Sequence, residues 1–252
     1  KAGLVYRLKD DVEEISNIRL GYTGRFVDDS FKATEYNLTV EHASDFPSLD
    51  GFLLDDYYNR DNLSSGWFKI QKNVDKYTVT KNIHSAYAEA TYQFTSRWIV
   101  NLGLKYDYVD INVDYNVNRG GSEGSNTIRK DYFLPSLNLK YNLNEKHSLR
   151  LGASKTYTLP QAKEISPYRY VGVNFNSQGN PNLKPSDNYN FDLKWDFNPS
   201  PTELVSLTAF YKHIKDPISR IEVASAGGYL SYENISDRAI VAGVEVEIRK
   251  NL

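Results

Sequence analysis

The most constraining feature of the sequence is a strict alternation between apolar and polar side chains. In "YNFDLKWDF" (residues 189–197) every odd position is aromatic or aliphatic, and every even position is Asn, Asp or Lys. Successive side chains of a β-strand point to opposite faces, so a period of two predicts a strand with one apolar and one charged face. Seven further segments alternate in the same way: "LVYRLK" (4–9), "SAYAEATYQF" (85–94), "VNLGLKYDY" (100–108), "SLNLKYNL" (136–143), "SLRLGAS" (148–154), "VSLTAFYK" (205–212) and "VEVEIRK" (244–250). The sequence therefore predicts about eight strands and no long helix.

The composition narrows the class of protein. No run of about 18 apolar residues occurs, so we predict no transmembrane helix. The net charge of −2 gives no electrostatic basis for binding nucleic acid, and without cysteine there is no disulfide or thiolate metal site. Tyrosine is abundant, with 20 residues, and its amphipathic ring suits the boundary between apolar surface and water. The mean hydropathy of −0.57 is compatible with a membrane β-barrel, because only alternate residues of its strands face lipid.

Short and long connections alternate along the chain. Turns rich in Asn, Pro and Ser follow residues 94, 143 and 197, whereas long loops are predicted at about 10–76, 116–130 and 159–187. Outer membrane barrels have short periplasmic turns and long extracellular loops. A soluble antiparallel sheet would also alternate, but the charged face and the aromatic residues near strand ends favour the barrel. We therefore predict an all-β, antiparallel, up-and-down transmembrane β-barrel.

Several segments resemble one family of outer membrane proteins. They are "YTVTKNIHSAYAEATYQFTSRWIVNLGLKYDY" (77–108), "FLPSLNLKYNL" (133–143), "LRLGASKTYTLPQAKEISPYRY" (149–170), "GNPNLKPSDNYNFDLKWDF" (179–197), "LTAFYKHIKDPI" (207–218) and "AGVEVEIRKNL" (242–252). In order and spacing they are similar to the β-barrel of TonB-dependent outer membrane receptors, in particular the type common in Bacteroidetes. One departure is "TLPQ" (158–161), where the family usually has an Arg-Pro-Glu-like run. This difference would alter a salt bridge near the base of a loop.

The resemblance implies a location in the bacterial outer membrane and energy-coupled uptake of a scarce nutrient, such as a siderophore, vitamin, glycan or peptide, into the periplasm. It implies as partners the lipid bilayer, a plug domain inside the barrel, and TonB. Such receptors close their barrels with about 22 strands. Residues 1–252 are therefore expected to be an interior part of the barrel, without the plug or the TonB-binding motif. Two alternatives stay open: a small eight-stranded structural or adhesive outer membrane barrel, and a secreted glycan-binding β-protein.

The sequence contains no pattern for catalysis, a metal or a cofactor, so we predict that the chain is not an enzyme. The four histidines lack ligand spacing, and the acidic segment 54–62 lacks the order of an EF-hand. Nutrient-binding side chains are instead expected among aromatic residues of the loops, namely Tyr57, Tyr58, Trp67, Phe68, Tyr168, Tyr170 and Phe175. Charged residues expected to face the lumen or the plug are Lys140, Arg150, Asp192, Lys194, Glu245, Glu247 and Arg249.

Overall fold

The computed structural model describes residues 1–8, 16–40, 60–118, 122–172, 174–224 and 228–251, most of which form strands. The strands are β1 (Ala2–Arg7), β2 (Asn17–Val40), β3 (Phe68–Gln93), β4 (Trp98–Val117), β5 (Ser122–Asn142), β6 (His147–Thr158), β7 (Arg169–Val171), β8 (Asn176–Gln178), β9 (Ser186–Phe197), β10 (Leu204–Lys215), β11 (Ile218–Val223), β12 (Tyr229–Asn234) and β13 (Arg238–Arg249). Two short helices are α1 (Arg60–Ser64) and α2 (Ala162–Ile165). Neither helix is long and apolar enough to cross a membrane.

Nine strands form one antiparallel sheet in the order β1-β2-β3-β4-β5-β6-β9-β10-β13. The pairing aligns residues in rows across the sheet: Leu102, for example, pairs with Ala90 on one side and with Leu137 on the other. Because side chains alternate along each strand, such rows keep apolar residues on one face and polar residues on the opposite face. The predicted all-β, antiparallel, up-and-down architecture is confirmed.

The two ends of this sheet differ. At one end, which we call the turn end, residues 94–97, 143–146 and 198–203 connect β3 to β4, β5 to β6 and β9 to β10. Asn144 Oδ1 accepts hydrogen bonds from the backbone N–H groups of Lys146 and His147, both at 2.9 Å. Thr95 Oγ1 likewise accepts from the Trp98 N–H at 3.2 Å. Short polar side chains thus supply the acceptors that close these turns.

A second sheet lies at the opposite end, which we call the loop end. Its four strands have the order β11-β12-β8-β7, and the β12–β8 pair is parallel while the other two pairs are antiparallel. We call this sheet, α2 and the described residues that connect them to one another and to β9 the loop layer. Asn180 Nδ2 donates to the carbonyl of Tyr232 at 2.9 Å, and Asn234 Nδ2 donates to the carbonyl of Lys184 at 3.0 Å. Side-chain amides therefore connect segments of the loop layer that are about fifty residues apart in sequence.

The buried core lies between the loop layer and the large sheet. Ile111 and Val113 of β4 are 1% and 0% exposed, and they belong to one cluster with Ile165 of α2 and with Leu183. Burying an aliphatic side chain of this size contributes about 1.5–3 kcal/mol to stability. This apolar contact holds the loop layer against the parts of β3, β4 and β5 that lie near the loop end.

The large sheet has nine strands, against about eight predicted, and the loop layer adds four short ones. Two details of the predicted architecture are wrong. The predicted loop 10–76 contains the whole of β2 and the beginning of β3, and Val40 pairs with Phe68. The predicted loop 116–130 contains the end of β4 and the beginning of β5, which pair as far as Val117 and Ser122. The sequence of these segments lacks a simple apolar face, but the backbone ladder continues through the parts of them that the structure describes. The third segment, 159–187, lies largely between β6 and β9 and contains α2, β7 and β8.

Candidate functional site

The first candidate surface is the apolar face of the nine-stranded sheet, which is exposed. Leu102, Leu193 and Val246 lie on three different strands and are 54%, 52% and 66% exposed. Further large exposed residues on this face are Leu4, Leu20, Leu104, Leu151, Leu207 and Val244. Soluble monomers rarely expose contiguous apolar patches larger than a few hundred Å². A face of this kind across nine strands is the lipid-facing side of a membrane sheet, and we call it the lipid face.

Aromatic residues border the lipid face at both ends. The rings of Trp98 and Tyr141 lie 4.3 Å apart near the turn end, and those of Tyr106 and Phe133 lie 5.2 Å apart toward the loop end. Between these borders β4 presents only Val and Leu on this face. From Trp98 to Tyr108 the strand rises by about 33 Å, which a tilt of about 40° reduces to about 25 Å, the height of a lipid-facing band with aromatic girdles.

Beyond Tyr108 the polarity of both faces of β4 reverses. The face that carries Leu104 continues with Asp110 and Asn112, whereas the opposite face becomes the buried apolar core at Ile111. A strand that leaves lipid for water must show this change, because its outer face then meets solvent and its inner face can pack against other protein. The reversal places the boundary of the lipid-facing band close to Tyr108. Because the apolar face changes sides at this boundary, the alternation in the sequence does not predict the parts of the strands that lie nearer the loop end.

The second candidate surface is the opposite, polar face of the sheet, where the register aligns charged side chains. Lys140, Arg150 and Lys194 lie directly opposite one another on β5, β6 and β9. The row continues through Thr208 of β10 to Glu245 of β13. We call the three basic residues the cationic row.

One buried carboxylate touches two members of the cationic row. The side chain of Asp196 is 6% exposed, and its Oδ2 atom lies 3.3 Å from Arg150 Nε. Its Oδ1 atom lies 3.5 Å from Lys194 Nζ, an ion-pair distance without hydrogen-bond geometry. Burial makes this pairing necessary, because an unpaired carboxylate is costly to remove from water.

The other predicted lumen residues lie on the same polar face. Asp192 is one row nearer the loop end, opposite Gly152, and Glu247 is one row nearer the turn end, opposite Ser206. Arg249 follows on the same face, with Nη2 3.1 Å from Glu247 Oε1. The structure therefore brings all seven residues to one face. That this face borders a lumen stays a prediction.

Two cavities on this face meet at the cationic row. One has a volume of about 420 Å³ and is lined in part by Asn138, Lys140, Arg150, Asp192 and Lys194. The other has a volume of about 1000 Å³ at the turn end, and Lys140 and Arg150 line it as well. The basic side chains thus stand between two open depressions.

Phe210 breaks the alternation by placing an aromatic ring on the polar face. It pairs directly with Gly243 of β13, and a Cβ atom at position 243 would lie only 2.6 Å from the ring. The ring therefore covers the backbone of a strand glycine, an arrangement that compensates for the missing side chain. Phe210 is explained by packing, and the glycine is required for the close approach.

The predicted nutrient-binding aromatics divide into two groups. Phe68 is 3% exposed, and Tyr168 packs on Phe31 with ring centroids 4.9 Å apart. Burial, and then the charge of Asp75, raise the pKa of Tyr168. Trp67, Tyr170 and Phe175 are exposed. Tyr57 and Tyr58 lie outside the described residues. The packing of Phe68 and Tyr168 favours a structural role for both.

Phe175 lines a small cavity in the loop layer. This cavity has a volume of about 290 Å³, and Tyr229 and Glu222 also line it. The parallel pairing of β12 with β8, in which Tyr229 lies opposite Asn176, brings these residues together. Tyr229 and Glu222 could not be predicted as part of this site, because they are about fifty residues from Phe175 and no local pattern connects them.

A buried polar cluster was also missed. Asp107 is 1% exposed, and its Oδ2 atom accepts hydrogen bonds from Lys105 Nζ and from the Tyr157 hydroxyl, both at 2.8 Å. The ring of Tyr157 stacks on Tyr132 with centroids 3.9 Å apart. The cluster connects β6 to β4 and β5 beyond the point where the β5–β6 ladder ends. Its role is to join strands that no longer share backbone hydrogen bonds.

The described histidines contact aromatic rings, and His84 Nδ1 also lies at a hydrogen-bond distance of 2.6 Å from the Tyr22 hydroxyl. His84 packs edge-on against Phe26 with centroids 5.3 Å apart, and His147 stacks on Phe197 at 4.4 Å. Within the described ranges, no group of three or more His, Asp or Glu side chains could hold a metal ion.

Comparison with known proteins identifies the family. Residues 1–251 match the family model described as TonB dependent receptor-like, beta-barrel. The chain belongs to this family. It is 28% identical over 170 residues to PirA, a probable TonB-dependent siderophore receptor of Acinetobacter baumannii; the match covers 63% of this chain and 20% of that protein. An iron-regulated outer membrane virulence protein of Vibrio cholerae is 32% identical over 91 residues, which are 36% of this chain and 14% of that protein. The chain thus spans a fifth or less of the length of these relatives.

Solved structures show the same fold at low sequence identity. The copper transporter OprC superposes with a TM-score of 0.54 at 10% identity, covering 97% of this chain and 42% of OprC. The Serratia marcescens hemophore receptor HasR, determined with its hemophore HasA and heme, superposes with a TM-score of 0.53 at 12% identity, covering 94% of this chain and 40% of HasR. These likenesses establish the fold and nothing about the ligand.

Membership of the family also settles the location. This is a family of receptors of the bacterial outer membrane, not a class of enzymes. The predicted family and location are confirmed, whereas the Bacteroidetes type stays a prediction.

Proposed function

We propose that the complete protein takes up a scarce nutrient across the outer membrane with energy supplied through TonB, and that this chain contributes wall and surface loops. The observation that carries the proposal is a sheet with an apolar, aromatic-bordered face, a charged opposite face, and, among the described residues, a loop layer at one end. In this arrangement the lipid face contacts the bilayer, and the polar face borders a lumen that holds a plug domain. The loop layer stands where a nutrient arrives from outside. We assign no catalytic role to the chain.

The two alternative functions fit the structure less well. Among the described strands, β1 and β13 are the edges of an open sheet of nine, which is not the arrangement of a closed eight-stranded barrel. A secreted glycan-binding protein would need to cover the lipid face, where Leu102 and Val246 are more than half exposed.

Ferric siderophores are the first nutrient class to test. One relative is a probable TonB-dependent siderophore receptor and another is an iron-regulated outer membrane protein. We therefore propose uptake of an iron complex ahead of a vitamin, glycan or peptide. The exposed side chains of Tyr170 and Phe175 in the loop layer are the described candidates for ligand contact.

Inactivation of the gene in its native bacterium tests the function. Under iron limitation, the mutant should lose uptake of radioactive iron from at least one siderophore in a panel, and re-expression of the complete gene should restore it. Collapse of the proton gradient should abolish the same uptake in the wild type. Unchanged uptake of all siderophores, of cobalamin and of glycans and peptides would refute the proposal.

Two phenylalanines with equal exposure give a matched test of the ligand site. Phe175 in the loop layer and Phe133 on the lipid face are both 62% exposed. Phe175→Leu should raise the half-saturation concentration for uptake by about threefold to tenfold, because an aromatic contact is lost. Phe133→Leu should leave it unchanged, since that ring faces lipid. Equal half-saturation values for both variants and the wild type would remove Phe175 from the site.

A further inference from the structure

We propose that the cationic row of Lys140, Arg150 and Lys194 binds a carboxylate that another segment of the complete protein supplies. The proposal deepens the proposed function and rests on it, because the polar face must border the enclosed interior of the barrel. Its starting point is the register, which places three basic residues side by side on three adjacent strands.

This alignment is unfavourable without an anion. Directly opposite residues on neighbouring strands have Cβ atoms about 4.5–5.5 Å apart, and like charges at that separation destabilise a sheet. A shift of register by one residue would separate the charges, but it would also turn Leu139, Leu151 and Leu193 away from lipid. The lipid face therefore holds the cationic row in place.

The described residues neutralise the cationic row only in part. Asp196 contacts Arg150 and Lys194, whereas Lys140 has no ion-pair partner within the described part of the chain. The charged side chains that line the two adjoining cavities, together with Asp196, carry a net charge of +2. The five cationic residues are Arg97, Lys140, Lys146, Arg150 and Lys194, and the three carboxylates are Glu145, Asp192 and Asp196. A site with this surplus favours an anionic ligand.

The geometry of Arg150 suits a carboxylate. Its Nε atom faces Asp196, and the side chain is 55% exposed. The guanidinium group has five N–H donors in a rigid fork, so its terminal nitrogens can bind a second carboxylate. Lys140 and Arg150 line both cavities, of about 420 and 1000 Å³, which leave space for a side chain carried on a polypeptide segment.

The ligand is assigned to the polypeptide rather than to a solute because the repulsion is permanent. The three charges oppose one another whenever the sheet is folded, and Asp196 offsets this repulsion only in part, so an anion that is held permanently stabilises the sheet more than a transient one. A nutrient or buffer anion in transit would occupy the row only intermittently. The relatives also carry much additional polypeptide, since the match to PirA covers 20% of that protein.

Photo-crosslinking in the complete protein tests the assignment. A photoreactive amino acid at Asn138, which is exposed on the polar face one row from Lys140, leaves all three cations in place. After irradiation in the outer membrane, mass spectrometry should identify an attached peptide of the same polypeptide that contains Asp or Glu. The same amino acid at Leu139, on the lipid face, should attach to lipid only. Absence of a peptide at position 138, or a peptide without an acidic residue, would overturn the proposal.

Charge reversal then tests the basic side chains themselves. Lys140→Glu should reduce the crosslinking yield from position 138 by about tenfold, because a charge-assisted contact is replaced by repulsion. Lys212→Glu, on the same face of β10 but away from the cationic row, should leave the yield unchanged. Reversal of the identified carboxylate to lysine should restore the yield in the Lys140→Glu background. A yield that does not depend on residue 140 would contradict the site.

The outcomes separate this proposal from the proposed function. A protein that imports its nutrient but yields no acidic peptide retains the function and loses the carboxylate site. A protein that yields the acidic peptide but imports nothing retains the site and loses the function. If the purified complete protein instead binds citrate in a manner abolished by Lys140→Glu, and no peptide is crosslinked, the anion is a solute and the assignment to the polypeptide is wrong.

Discussion

Replacement of Leu102 by arginine in the complete protein would test whether the apolar face contacts lipid. Leu102 is 54% exposed and lies about midway between Trp98 and Tyr108 on β4. Arginine on the lipid face of a barrel costs about 2–4 kcal/mol at the middle of the bilayer and about 0–1 kcal/mol near its surface. The expected loss for Leu102→Arg corresponds to a change of about 30- to 800-fold in the folding equilibrium, since about 1.4 kcal/mol is a factor of ten.

The same strand provides a matched control. Asn112 lies on the same face as Leu102, ten residues further along β4 and beyond the reversal of polarity at Tyr108. It is about 33 Å from Leu102 along the strand, so Asn112→Arg should meet water and cost less than about 1 kcal/mol.

The assay is equilibrium unfolding of the complete protein in phospholipid vesicles, followed by tryptophan fluorescence against denaturant concentration. The free energy of unfolding should fall for Leu102→Arg and stay close to the wild-type value for Asn112→Arg. Equal losses in the two variants would refute the position of the boundary at Tyr108. A loss below about 1 kcal/mol for Leu102→Arg would refute the lipid contact itself.

Three further predictions use the same protein. Ile111→Ala should lower the free energy of unfolding by about 2–5 kcal/mol, because it opens a cavity in the core beneath the loop layer; Asn112→Ala on the next position should change it little. Asn144→Ala removes the acceptor of two turn hydrogen bonds and should cost about 0.5–2 kcal/mol, measured by the same denaturant titration. Burial raises the pKa of the Tyr168 hydroxyl above its ordinary value of 10.0, so the protonated hydroxyl stabilises the folded state. This stabilisation is complete below about pH 10 and is lost as the pH rises through the pKa of the folded state. Tyr168→Phe should therefore weaken the decline of stability above pH 10; an identical decline in the variant would contradict the burial of this hydroxyl.

Sequence patterns predicted the faces of the strands because the period of two is a property of every extended chain. Leu193 and Lys194 are adjacent, and their opposite directions could be assigned without a structure. The patterns failed beyond the lipid-facing band. On β2 the outer face changes from Phe26 to Asp28 and Ser30, so a strand of 24 residues was interpreted as loop. The pairing of Val40 with Phe68 depends on backbone hydrogen bonds, which leave no mark on side-chain polarity.

The candidate ligand site was predicted only in part for a similar reason. Aromatic residues in loops can bind a ligand or pack on one another, and their sequence does not distinguish these roles. Phe68 and Tyr168 pack, whereas Phe175 stays exposed beside Tyr229. The segments that contain Phe175 and Tyr229 are brought together by the parallel pairing of β8 with β12. In the sequence these two strands are separated by the whole of β9, β10 and β11.

The sequence by itself determined that this chain forms strands with one apolar and one polar face, because a period of two is the side-chain repeat of every extended chain. Only the tertiary structure decided which residues share a row across strands. The register places Lys140, Arg150 and Lys194 side by side. The packing of α2 and Leu183 on β4 buries the apolar side chains that this sheet face carries beyond the lipid-facing band. Both are contacts between distant segments, and such contacts depend on the path of the whole chain rather than on any local pattern.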